Sequence, residues 1–263
     1  MKNTIQCMVT LWVMMAVTVS SAHAASYDLT KSTPVGSWQL RQEISRDAKG
    51  KEQLMEVRTS MVGEEKREGV DHVWVEMEMN TFRYNKGKKG KATGEPILLK
   101  ILMEKSTLKG NPEDIINNLR AMGKEIIMQQ GDADPIKIEE GGMIGNAMMK
   151  SLGMEIDYNF DETGTERVET PAGKFKSRVV EGSGSVEMSV IFKTIRVDST
   201  AKQWLSDDVP FAIVKAESTS TMDGKTTTTS SLLLDHGKKG AVSKIKGEAQ
   251  SMKIPGLGDL FGG

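Results

Sequence analysis

Val73-Trp74-Val75-Glu76-Met77-Glu78-Met79 alternates apolar and polar side chains almost without a break. A period of two places Val73, Val75, Met77 and Met79 on one face of a β-strand. His72, Trp74, Glu76 and Glu78 fall on the other. The same reading upstream puts Trp38, Leu40, Gln42 and Ile44 on one face of a first strand, with Gln39, Arg41 and Glu43 opposite. Met55, Val57, Thr59 and Met61 align on a second. Between the second and third strands, Gly63-Glu64-Glu65-Lys66-Arg67-Glu68-Gly69 reads as a charged turn. The pattern predicts an antiparallel meander with one face toward water.

Working outward, Phe82 to Gly94 interleaves Lys86, Lys88, Lys89 and Lys91 with glycines, as an exposed basic hairpin does, and Ile97 to Met103 reads as a buried strand. A long helix is then predicted. Asn111 serves as N-cap, Pro112 as its first residue, and Glu113 and Asp114 favour the positive helix end. Ile115, Ile116, Leu119, Met122, Ile126 and Ile127 form its apolar stripe. A shorter helix is expected over Met143 to Leu152, loosened by Gly141, Gly142 and Gly145. Strands return from Tyr158: Thr165–Glu169, Lys174–Glu181, Glu187–Val197, Val209–Thr219, Thr226–Leu234 and Ala241–Ser251. The expected fold class is therefore mainly β with α. A single large, curved, antiparallel sheet of about 10–11 strands would form an open half-barrel, with one long and one short helix over its concave face.

Val168-Glu169-Thr170-Pro171-Ala172-Gly173-Lys174-Phe175-Lys176 is followed by Trp204-Leu205-Ser206-Asp207-Asp208-Val209-Pro210-Phe211. Together they resemble a pattern of exported bacterial proteins, TPAG-x-F and then W-x-S-x-x-V-P. Through it the chain is similar to the LolA/LolB-like periplasmic lipoprotein-carrier superfamily. The resemblance implies an open β half-barrel closed by helices over an apolar cavity. The same residues also make sense as plain structure. Pro171 and Gly173 shape a hairpin, Phe175 returns the chain to the core, and Trp204 and Phe211 bracket a polar kink where Pro210 limits pairing.

The ends set the compartment. Lys2, the apolar run Met8–Val19 and the small-x-small exit Ala22-His23-Ala24 are the parts of a secretory signal peptide cleaved after Ala24. Cys7, the chain's single cysteine, stands before the apolar run, so it is not an acylation site at the cleavage point. The expected organisation is a signal peptide over 1–24, one domain over 25–252 with a helical insertion at about 111–152, and a flexible glycine-rich tail over 253–263. The exported part carries no cysteine, so its stability rests on its core. The formal charge of the full chain is −1. Near-neutrality offers no global attraction to nucleic acid or an anionic membrane, and neither partner is expected. Nor does a transmembrane segment follow the leader.

Recognisable catalytic chemistry is missing from the residue inventory. Only His72 and His236 survive cleavage, with neither His-Glu-x-x-His nor Gly-x-Ser-x-Gly around them. Asp157-x-Asn159-x-Asp161 imitates a calcium loop, but Glu162 and Val168 occupy the positions that need Gly and Glu. No cofactor, metal or enzymatic activity is expected. The leading expectation is a periplasmic or secreted binding protein that holds an acyl chain, lipid or lipoprotein segment between sheet and helices. Its cavity would be lined by Trp38, Leu40, Val75, Met77, Leu99, Phe175 and Phe211, with Met143 and Met148 from a lid. The fourteen methionines of the exported part suit a plastic pocket or simple core filling. The alternative is an envelope scaffold that binds a protein partner through a sheet edge or loops.

Overall fold

Hairpin after hairpin builds nearly all of the sheet, because each run of alternating residues ends in a tight turn. The computed structural model describes residues 27–110, 125–139, 155–190 and 193–251. Strand β1 (Tyr27–Asp28) leads into a single helical turn, α1 (Leu29–Ser32). Next come β2 (Trp38–Arg46), β3 (Glu52–Arg67), β4 (Val70–Asn85), β5 (Lys88–Ala92) and β6 (Ile97–Glu104). A 3-10 turn (Lys105–Leu108) precedes β7 (Lys109–Gly110), β8 (Glu125–Gln130) and β9 (Ile136–Glu139). Four long strands follow: β10 (Glu155–Thr170), β11 (Gly173–Val190), β12 (Lys193–Leu205) and β13 (Ile213–Met222). The last two are β14 (Lys225–Gly237) and β15 (Gln250–Ser251).

Among the described residues thirteen strands join one open sheet, ordered β10-β11-β12-β13-β14-β2-β3-β4-β6-β8-β9-β15, with β5 beside β4. Strand β14 returns to pair with β2, so the late meander is stitched to the early one at mid-sheet. The sheet curls. Strand β10 comes within 8 Å of both β13 and β14 between Cα atoms. On a flat sheet β10 and β14 would lie four spacings, about 19 Å, apart.

The inner face can be traced by register. Glu43 stands opposite Met55 and Ser231. From Ser231 the row runs through Ala216, Gln203 and Val180. From Met55 it reaches Thr81, which shares its face with Met79, Met77 and Val75. One apolar cluster on this face gathers Tyr158, Phe160, Val180, Val186, Val197 and Ala201, with Leu205 and Ile213 at its end. A second gathers Met61, Val73, Val75, Met103 and Leu108. Leu29 of α1 packs against both clusters. That is possible because the face is concave.

Two polar links hold this plug. The Phe211 amide donates to Thr33 Oγ1 at 2.9 Å. The Gln39 carboxamide, oriented to satisfy both its ends, donates to the carbonyls of Pro210 (3.1 Å) and Ile213 (3.3 Å). The corner between β12 and β13 is thereby folded over the inner face, with Phe211 and Ala212 both at positive φ, 60° and 61°. A third cluster, Val168, Phe175, Val179, Trp204, Val209, Val214 and Leu233, closes the region around the Thr170–Gly173 hairpin.

The outer face of β4, β6 and β8 is covered by residues 241–249, which run across it as an extended strap. Glu76, 3% exposed, accepts from Ser243 Oγ at 2.6 Å and from the Lys244 amide at 2.8 Å. Gln129 exchanges hydrogen bonds with the backbone of Lys246. Beyond the strap, β15 pairs with β9 in parallel. Glu76→Ala orphans two donors and is expected to cost about 2 kcal/mol. It should also raise hydrogen exchange at Lys244 and Lys246 before the sheet opens. Unchanged exchange there would show that the strap is held by something else.

The structure departs from the sequence reading in several places, each with a physical reason. The sheet has thirteen described strands where about 10–11 were expected. Part of the surplus is short pieces, β5, β9 and β15, of 5, 4 and 2 residues, too short for a period to show in the sequence. The stretch 63–69 is mostly strand: a bulge between Met61 and Gly63 resets the register, and only Glu68-Gly69 turns. Ile126 and Ile127 lie in β8, not in a helix, as suits β-branched neighbours sent to opposite faces. The rest of the predicted long helix, 111–124, and the whole of the shorter one, 143–152, lie outside the described residues. Glu187–Val197 divides between β11 and β12, residues 209–212 form the corner, and 241–249 form the strap. The side of β4 expected to face water is buried at His72, Trp74 and Glu76. Among the described residues no helix is long and apolar enough to cross a membrane.

Candidate functional site

Strands β4, β6, β8 and β9 give the inner face an aliphatic floor. Met77, Leu99, Met128 and Ile136 stand in one cross-strand row, and Ile101 and Ile126 in the next, beside Val75. These six remain half-buried. A row of large apolar side chains only partly withdrawn from water is a surface that gains by being covered.

At mid-sheet, between the two apolar clusters, the same face turns polar. Arg41 and Glu43, neighbours on β2, are 9% and 4% exposed. Their ion pair is 3.4 Å from Nη2 to Oε1, and Arg41 Nη1 donates to Ser231 Oγ at 3.4 Å. Arg41 Nε and Glu43 Oε2 are buried with no hydrogen-bond partner. Burial outweighs the attraction of Arg41 and holds the Glu43 carboxyl above the usual carboxylate range. Further along the face, the Tyr158 hydroxyl is also buried and unpartnered. Burial, with a smaller push from the Asp198 charge, raises its pKa to about 12.

The structure divides the residues expected to line a cavity. Val75, Met77 and Leu99 come together: Met77 opposes Leu99 in register, and Val75 is two residues along the same strand face. Phe211 joins them, packed against the cluster that contains Val75. Trp38 and Leu40 stand elsewhere. They oppose Ser60 and Arg58, which in turn oppose Glu76 and Glu78, so they share the outer face. Trp38 lies under the Arg58 guanidinium at 3.8 Å. Phe175 belongs to the third cluster, edge-on to His236. Met143 and Met148 lie outside the described residues.

Sequence reasoning assigned Arg41 and Glu43 to the solvent side and so missed them. Their charge misled; the signal that places them is the pairing of odd residues with odd ones across the Asp47–Lys51 turn, which sets Arg41 and Glu43 opposite Val57 and Met55.

His72 is buried, its Nδ1 2.9 Å from the Val70 carbonyl. Asp157, Asn159 and Asp161 are exposed on one face of β10, a strand and not a loop. Among the described residues no three His, Cys, Asp or Glu side chains could share a metal ion.

No family model matches the chain, and no curated protein does. Solved structures do. A Bacteroides fragilis protein described as exported and of YmcC-like fold is 14% identical, with a TM-score of 0.36 over 78% of this chain and 97% of its own. A Parabacteroides distasonis protein described as a lipoprotein is 17% identical, with a TM-score of 0.35 over 82% and 100%. A LolA superfamily protein from Nitrosomonas europaea is 11% identical, with a TM-score of 0.26 over 86% and 99%.

Proposed function

We propose that the protein is an exported, non-enzymatic carrier that holds an acyl chain, a lipid or a lipoprotein segment against the inner face of its curved sheet. The observation that supports this most is the half-buried floor of Met77, Leu99, Ile101, Ile126, Met128 and Ile136, continuous with the cluster that Leu29 and Phe211 plug at one end. Covering such a floor yields roughly 25 cal/mol per Å² of apolar area, and its two methionines adapt to varied chains. Export follows from the leader, cleaved after Ala24. Docking through a sheet edge has weaker support, since edge strand β10 carries Asp157, Asp161, Glu162, Glu166 and Glu169, charges that discourage pairing.

Two measurements test this. The protein should be purified from the periplasm of an expressing bacterium and titrated with the uncharged probe N-phenyl-1-naphthylamine. We expect fluorescence enhancement that Leu99→Lys reduces at least tenfold in affinity with the far-ultraviolet spectrum unchanged. Absence of binding to the wild-type protein sinks the carrier reading. N-terminal sequencing of the same sample should begin Ala25-Ser26-Tyr27.

A further inference from the structure

An ion pair in the middle of an apolar face is costly unless its remaining donors and acceptors are satisfied. Arg41 and Glu43 are not satisfied. Arg41 spends one terminal nitrogen on Glu43 and the other on Ser231, which leaves the Nε–H. Glu43 spends Oε1 on Arg41, which leaves Oε2. The two unused groups are of opposite kind, one donor and one acceptor, on side chains two residues apart on the same strand face. They lie at mid-sheet, between the apolar clusters that flank them on either side. A chain lying on the aliphatic floor would bring its polar end here.

We propose that Arg41 and Glu43 form the polar end of the ligand site and select a neutral head group that donates and accepts at once, an amide or an alcohol. This rests on the apolar-ligand reading above. The selection follows from elimination by charge and valence. An ester or ether only accepts, so it leaves Glu43 Oε2 orphaned. An ammonium only donates, so it leaves Arg41 Nε–H orphaned. A carboxylate or phosphate would sit against the Glu43 carboxylate. An amide offers its carbonyl to Arg41 and its N–H to Glu43, and a hydroxyl does both with one oxygen. Sites built around a buried donor–acceptor pair reject analogues that lack the matching group far more strongly than apolar pockets reject a methylene.

The test compares four ligands with one twelve-carbon chain length: N-methyldodecanamide, 1-dodecanol, methyl dodecanoate and dodecanoate. Each displaces N-phenyl-1-naphthylamine from the periplasm-purified protein. The amide or the alcohol is expected to act at a concentration at least tenfold below the ester and the carboxylate, and whichever leads names the source of the head group. Glu43→Gln keeps a partner for Arg41 but turns the free acceptor into a donor. It should close the gap between ester and amide to within about threefold. Equal displacement by all four ligands overturns the head-group proposal and leaves the carrier reading intact. Dodecanoate as the tightest ligand also overturns it, since Arg41 would then be reading an anion. Failure of the wild-type protein to bind the probe removes both. The wild-type ranking alone decides the matter if the variant does not fold.

Discussion

Gly184→Ala is expected to destabilise the fold by on the order of 3 kcal/mol, at the upper end of the cost of overpacking. A Cβ at residue 184 would stand 2.1 Å from the Asp157 carbonyl oxygen and 2.6 Å from Cγ of Tyr158. The first contact is with backbone, which cannot swing away without breaking the pairing of β10 with β11. Gly182→Ala meets only a ring, Phe160 at 2.1 Å, yet that ring is 2% exposed and has nowhere to go. Tyr158 and Phe160 lie stacked along the face with centroids 5.4 Å apart, directly over the two glycines they oppose in register. The aromatic rings fill the space that the missing side chains leave. Gly63→Ala is the control, since its Cβ would meet nothing closer than 3.6 Å. Urea midpoints should fall for residues 182 and 184 at unchanged slope, and stay nearly constant for residue 63. Equal midpoints for Gly184→Ala and Gly63→Ala would show that the rings do not rest on β11.

Much of this architecture was legible because alternation is a local property. The strands around Trp38–Ile44, Met55–Met61, Val73–Met79 and Ile97–Met103, and the Thr170–Gly173 and Asp223-Gly224 turns, stand where period and turn chemistry put them. What alternation leaves open is which face turns inward, and there the reading of β2 went astray. Trp38, Leu40 and Ile44 look like the core side, and Gln39, Arg41 and Glu43 like the wet one. The turn at Asp47-Ala48-Lys49-Gly50 contains the correction. It closes with the Asp47 amide on the Lys51 carbonyl, which pairs odd residues with odd ones. Arg41 and Glu43 must then share a face with Val57 and Met55. Register is non-local information carried by a turn, and one residue of slip exchanges the faces entirely. The outer face misled for a different reason. Glu76 is buried by residues 241–249, more than 160 positions away in sequence, and no window over β4 could register their arrival. The adjacent pair Ile126 and Ile127 fitted a helical stripe as well as a strand, an ambiguity that short apolar runs always carry.

The second large effect concerns the same buried pair. Arg41→Met is expected to cost about 3–5 kcal/mol near neutral pH, because it strands the Glu43 carboxylate in an apolar setting. The double variant Arg41→Met/Glu43→Leu should recover most of that loss, since removing both charges also removes both desolvation penalties. The pH dependence separates this account from a simple loss of packing. The folded-state pKa of Glu43 lies above its ordinary 4.5 because burial disfavours the charged form. The folded state therefore binds this proton more tightly than the unfolded chain does. The resulting stabilisation is complete below about pH 4.5 and is lost as pH rises through the folded value. Without Arg41 the folded pKa rises further, so the cost of Arg41→Met should be smaller at pH 5 than at pH 8. Glu43→Gln, which cannot titrate, should gain on the wild-type protein over the same rise. Guanidinium unfolding of the four proteins at the two pH values gives the whole comparison. A cost for Arg41→Met that is the same at both would mean that the carboxylate is not what the arginine holds in place. If the pair does behave this way, the double variant folds nearly as well as the wild-type protein and far better than Arg41→Met, yet lacks the polar end of the site. The charges at mid-sheet would then add little to the fold and be kept for what they bind.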